Sequence, residues 1–91
     1  MTFMRASTST GEIGAQLRAA RRGQGLTQAE VAVAAHVSRA FVVDLEGGKR
    51  PGAELGRVLA VARVLGLGVA LVPEQVPTFE DALNDVLGAR R

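Results

Sequence analysis

The stretch LTQAEVAVAAHVSRAFVVDLEGGKR, Leu26 to Arg50, decides the reading of this chain. Thr27-Gln28-Ala29-Glu30 is a capping box, in which a threonine hydroxyl and a glutamate carboxylate each satisfy a free backbone N–H at a helix start. It predicts a short helix with Val31, Ala32 and Ala35 inward. His36-Val37 breaks that pattern. Ser38 is a second N-cap and opens another helix. Val42 and Leu45 point inward there, with Phe41 beside Leu45 at i, i+4 spacing. Gly47-Gly48 ends it.

Two short helices joined by a turn of about three residues make a helix-turn-helix unit. The second helix of such a unit enters the DNA major groove with its N-terminal residues against base edges. Arg39 stands in that first turn, where a guanidinium can reach a guanine O6 and N7 together. The Ser38 hydroxyl and the N-terminal N–H groups of both helices can hold phosphates.

Outward from this unit, Ser9-Thr10-Gly11-Glu12 reads as another capping box. The helix it opens carries Ile13, Leu17 and Ala20 on one face and stops near Gly23. Lys49-Arg50-Pro51-Gly52 is a loop. A further helix is predicted from about Ala53 to Leu65. Leu55, Val58, Leu59, Ala62 and Leu65 share one face, expected inward. Arg57, Ala60, Val61 and Val64 lie roughly opposite, and that second face is more apolar than a solvated surface should be. Leu67-Gly68-Val69-Ala70-Leu71-Val72 reads as a β-strand closed by Pro73. A lone strand leaves its N–H and C=O groups unpaired and needs a partner. Pro77-Thr78 starts a last short helix, with Thr78 as cap, Glu80 and Asp81 in the first turn, and Phe79, Leu83, Val86 and Leu87 along its apolar side.

Composition narrows the class. The chain has 91 residues, which suits one small domain with an appendage. Aromatics are only 3%, so the core is packed from aliphatic side chains. There is no cysteine, which excludes disulfides and thiolate metal sites and suits a reducing cytoplasm. No zinc-ligand cluster, phosphate loop or catalytic constellation is present, so no cofactor, no metal and no enzyme activity are expected. No signal peptide and no membrane span are read. Residues 1–63 hold nine Lys/Arg against five Asp/Glu, whereas residues 64–91 hold two against four. A basic body joined to an acidic tail is compatible with nucleic-acid contact by the body.

LTQAEVA, then VSR, then DLEGGKR, in this order and spacing, resembles the Xre/Cro repressor family over about Glu12 to Leu65. The continuation PGAELGRVLAVARVLGLGVALVP is similar to HipB-type antitoxins. The resemblance implies a mostly α fold, a lambda-repressor-like helix-turn-helix domain of four to five helices with one C-terminal strand that pairs across a homodimer. On that reading residues 1–8 are a disordered N-terminus, 9–66 the DNA-binding domain, 67–73 the dimerisation strand and 74–91 a tail with a short helix.

Carried over residue by residue, the resemblance implies that Gln28 touches phosphate. Ser38, Arg39 and Ala40 form the base-facing front of the second helix, Val43 and Asp44 its next exposed turn, and Lys49 and Arg50 a phosphate-contacting loop. Arg21 and Glu46 match a structural ion pair. His36 replaces the glycine usual at the turn, a position that often takes positive φ. The expected dimer interface uses Val61, Val64, Leu67, Val69, Ala70, Leu71 and Val72. The implied partners are a palindromic double-stranded operator, a second copy of the chain and a HipA-type Ser/Thr kinase toxin. Two other functions fit the residues: a stand-alone repressor without a toxin, and a protein-interaction module that has lost DNA binding.

Overall fold

The computed structural model describes residues 6–73 and 79–88. Four helices form its body: α1 (Thr10–Gly23), α2 (Gln28–Ala35), α3 (Arg39–Glu46) and α4 (Leu55–Val64). A fifth, α5 (Phe79–Gly88), follows in the tail. The proposed cap at Thr78 lies outside the described residues, as do 1–5, 74–77 and 89–91.

Local side-chain chemistry sets the starts of α1, α2 and α3. Ser9 Oγ accepts from the Glu12 N–H at 3.1 Å. The returning Glu12 carboxylate accepts from Thr8 N–H, one residue before the cap, so this start is a one-way cap and not a reciprocal box. Ser7 adds a further tie, its hydroxyl accepting from the Gln16 amide. At Thr27 the box is complete: Thr27 Oγ1 accepts from Glu30 N–H, and the Glu30 carboxylate accepts from Thr27 N–H. That backbone donor, with the Thr27 hydroxyl, holds the Glu30 carboxyl below its ordinary pKa. Ser38 caps α3 through the Phe41 N–H at 3.0 Å.

The helix ends repeat one device. A residue in the left-handed region follows each of α1 to α4, and the next N–H reaches back five residues to a helix carbonyl. These bonds run from Leu26 to Arg21, Val37 to Ala32, Lys49 to Asp44 and Leu67 to Ala62. This closure satisfies carbonyls that the helix leaves free. Glycine fills the left-handed position three times, at Gly25, Gly48 and Gly66. In the turn between α2 and α3 it is His36, at φ 57° and ψ 41°. Histidine tolerates this region better than most side chains, so the turn keeps its shape without glycine.

The core joins Leu17 of α1, Val31, Ala32 and Ala35 of α2, Phe41, Val42 and Leu45 of α3, and Val58, Val61, Ala62 and Leu65 around α4. α3 packs against α1 and α2, and α2 against α4. Gly14 of α1 is buried where a Cβ would overlap the Leu45 carbonyl oxygen, so α1 approaches α3 closely at that point.

Two expectations about the C-terminal half are corrected. Leu55 and Leu59 do not face the core; they are 64% and 40% exposed, while Val61 is 1% exposed inside it. The apolar stripe of α4 is broad enough to leave its rotation open, and packing turned the helix by about half a residue step toward Val61. Val61 therefore offers no surface to a second copy, and Val64 is half-buried against the core. Residues 67–73 form no strand and are exposed. Among the described residues there is no other strand to complete a ladder, and an unpaired one has no hydrogen-bonding advantage over coil.

Candidate nucleic-acid interface

α3 divides its residues between two environments. Phe41, Val42, Leu45 and Glu46 are buried, whereas Arg39, Ala40 and Val43 are exposed and Asp44 is half-buried. The Ser38 cap draws the chain into the helix so that Arg39 is its first residue. A shallow open depression lined by Leu26, Thr27, Gln28, Ala29, Arg21 and Arg39 joins the start of α2 to the start of α3. The turn through His36 thus brings Gln28 and Arg39, eleven positions apart in the chain, to one concavity.

The floor of that concavity is a charge-balanced network. Arg21 donates from Nε to Glu46 Oε2 at 2.7 Å and from a terminal nitrogen to Glu46 Oε1 at 3.0 Å. Its other terminal nitrogen donates to the Leu26 carbonyl at 2.8 Å. One guanidinium therefore ties α1 to the α1–α2 loop and to α3. The Gln28 amide nitrogen also donates to Glu46 Oε1, at 3.1 Å. This uses one of its two N–H groups and leaves the second for a ligand. Burial by itself would push the Glu46 carboxyl up. The hydrogen bonds from Arg21 and Gln28, with the charges of Arg21 and Arg18, outweigh it and hold the carboxyl below its ordinary value. Hydrogen bonding to Glu46 in turn raises the Arg21 pKa against the cost of burial. The inner cation is neutralised in place, so the positive charge facing outward comes from Arg39 and the following loop.

That loop holds its own arrangement. Arg50 Nε stands 3.7 Å from Asp44 Oδ2, and its guanidinium lies over the Phe41 ring, 5.4 Å from the centroid. Lys49 is exposed beside it, its N–H closing α3 on the Asp44 carbonyl. Ser38, Arg39, Ala40, Val43, Asp44, Lys49 and Arg50 therefore lie along or beside the outward side of α3, and Gln28 is reached across the concavity. Val61 and Leu67 to Val72 take no part in it.

Two residues of this region were not singled out in the sequence. Gly14, which admits α3 against α1, carries no local signal, because its constraint comes from a carbonyl on another helix. Arg57 also lies near the Phe41 ring, 6.0 Å from its centroid. The sequence grouped it with Ala60, Val61 and Val64 on a largely apolar face of α4, and neither its exposure nor its approach to α3 followed from that grouping.

The chain matches the helix-turn-helix domain family over residues 12–75. It belongs to that family, in its Xre-like form. This helix-turn-helix domain is also similar to an uncharacterized HTH-type transcriptional regulator, y4mF, of Sinorhizobium fredii. The two are 44% identical over 61 residues, covering 67% of this chain and 79% of the relative. Among the described residues no helix is long and apolar enough to cross a membrane, and no group of three or more His, Cys, Asp or Glu could hold a metal ion.

Proposed function

We propose that the chain is a sequence-specific DNA-binding transcriptional regulator that works as a repressor. The observation that carries this reading is the capped, outward-facing start of α3, with Arg39 exposed in the first turn over a floor whose own charges are paired. Arg39 reads a base edge. The exposed methyl groups of Ala40 and Val43 suit contact with thymine. Gln28, Lys49 and Arg50 hold phosphates on either side, and those contacts set position without carrying sequence. The test is binding to duplex DNA at rising salt. Release of condensed counterions makes true DNA binding weaken steeply, whereas a flat response means that the fold serves only protein contacts.

The finer reading is an antitoxin of the HipB type, binding a HipA-type kinase and a palindromic operator as a homodimer. It rests on the resemblance of the segment after Pro51, together with the exposure of Leu67, Val69, Leu71 and Val72. Paired with the same segment of a second copy, these residues satisfy each other's backbone groups. A two-stranded ribbon is marginal in water without apolar support, and Leu59, with half-buried Val64, supplies it in place of Val61. A two-fold dimer presents two α3 helices to half-sites about one helical turn, or a multiple of it, apart. Val69→Pro removes a ladder donor, and light scattering should then show monomer, with weakened binding to a palindrome. A dimer of unchanged mass would remove this segment from the interface. Copurification with the product of a neighbouring kinase gene tests the toxin partner.

A further inference from the structure

We propose that Arg57 of α4 is a further DNA-binding residue, acting with Arg50 as a clamp on the phosphate backbone beside α3. The proposal rests on the DNA-binding reading above. Two arginines from different elements share one aromatic ring. Arg50, in the loop after α3, and Arg57, in the first turn of α4, place their guanidinium carbons 5.4 and 6.0 Å from the Phe41 centroid. The ring is buried, but the arginines are not; their side chains keep 44% and 57% of their surface exposed. Each guanidinium thus lies near the ring on a side chain that remains accessible to solvent.

Neither head is saturated by protein. The nearest carboxylates are Asp44, 3.7 Å from Arg50 Nε, and Glu54, 3.8 Å from Arg57 Nε. Both distances exceed hydrogen-bonding range. A guanidinium has five N–H donors in a planar fork. Two forks held beside one ring, with no hydrogen bond to either acid, are suited to an anion with several acceptor oxygens, and phosphate forms short charge-assisted bonds with such a fork. The location selects the anion. Arg50 stands 3.7 Å from Asp44, on the outward side of α3, and Arg57 reaches the same Phe41 ring from α4, which places the pair beside α3. A strand whose bases meet Arg39 has its backbone beside that helix. The ring explains the choice of arginine, since a planar guanidinium stacks on an aromatic face where an ammonium is only a point charge. The acids have a role as well: they hold the forks near the ring in the free protein and are exchanged for phosphate on binding.

The test uses the full chain and a random-sequence duplex about three helical turns long, since a phosphate contact requires no operator. Binding constants are measured across a salt series for the wild type, Arg50→Ala, Arg57→Ala and Arg57→Lys, with a melting temperature for each. Loss of one phosphate contact per subunit lowers the slope of log K against log salt by about 0.9 per subunit. Arg57→Ala is expected to show that loss at an unchanged melting temperature, with Arg57→Lys restoring the slope by keeping the charge. The proposal is overturned if Arg57→Ala keeps the wild-type slope while Arg50→Ala lowers it, because Arg57 then only covers Phe41. It is also overturned if lysine fails to restore a lost slope. A wild-type chain with no salt-dependent binding would sink the DNA-binding reading itself, a result distinct from either of these.

Discussion

The inner side of α3 buries Glu46, and the outer side carries Asp44 two residues earlier. Both acids face an arginine. Glu46 receives two hydrogen bonds from Arg21 at 2.7 and 3.0 Å and a third from Gln28, away from water. Asp44 stands 3.7 Å from Arg50 Nε, and the two side chains keep 40% and 44% of their surface in solvent. The chemistry is the same and the solvent is not. A buried, bidentate pair cannot exchange its partner without leaving a bare charge, so it is part of the framework. An exposed pair held by distance alone can give up its arginine to a stronger acceptor. One short helix thereby separates what holds the fold from what meets a ligand.

The largest test of this contrast removes the inner acid. Glu46→Ala leaves Arg21 with only the Leu26 carbonyl, and loss of one partner of a buried pair should destabilise the fold by on the order of 3 kcal/mol. Thermal melting measures it, and an unchanged midpoint would place the pair outside the framework. The same group predicts a pH dependence. Its folded pKa is depressed, so its contribution is complete above the unfolded carboxylate value of about 4.3. It is lost as pH falls through the lower folded value. The wild type should therefore lose stability more steeply than Glu46→Gln in that acid range, and parallel acid titrations would refute the linkage.

A smaller effect, of a different kind, is expected on the outer side. Arg39→Ala should cost roughly 1–3 kcal/mol of operator binding per half-site and relax discrimination at one base pair. Its melting temperature should stay at the wild-type value. A lowered midpoint would blur the division between the two sides, and unchanged operator affinity would remove Arg39 from the reading surface. The smallest change in stability belongs to Asp44→Ala. An exposed ion pair contributes between nothing and about 1 kcal/mol, so melting should barely move. A destabilisation approaching that of Glu46→Ala would mean that the two pairs do not differ as their exposure indicates.

Much of the interface region was legible because its elements are local. The serine at 38 and the arginine after it need only their own neighbours to form a capped helix start. Gln28 was read as a phosphate contact, and its amide was then found also to hydrogen-bond Glu46, eighteen positions later. That bond depends on the angle between α2 and α3, which the periodicity of either helix leaves open. Arg57 shows the same limit, since a polar position on α4 does not reveal which aromatic ring on another helix it will reach.

By itself the sequence determined where α1 to α3 begin and where α1 to α4 end, whereas α4, expected from about Ala53, starts at Leu55 with no side-chain cap. Ser9, Thr27 and Ser38 cap through bonds that span three residues, and the left-handed stops at Gly25, His36, Gly48 and Gly66 close through bonds that span five. Such short-range geometry is written in adjacent residues. Only the tertiary structure decided which way α4 turned, burying Val61 and leaving Leu55 and Leu59 outside. Only it seated Gly14 on the Leu45 carbonyl. Burial of apolar surface is non-directional. A helix apolar over much of its circumference satisfies it in more than one rotation, and the shapes of the facing helices select among them.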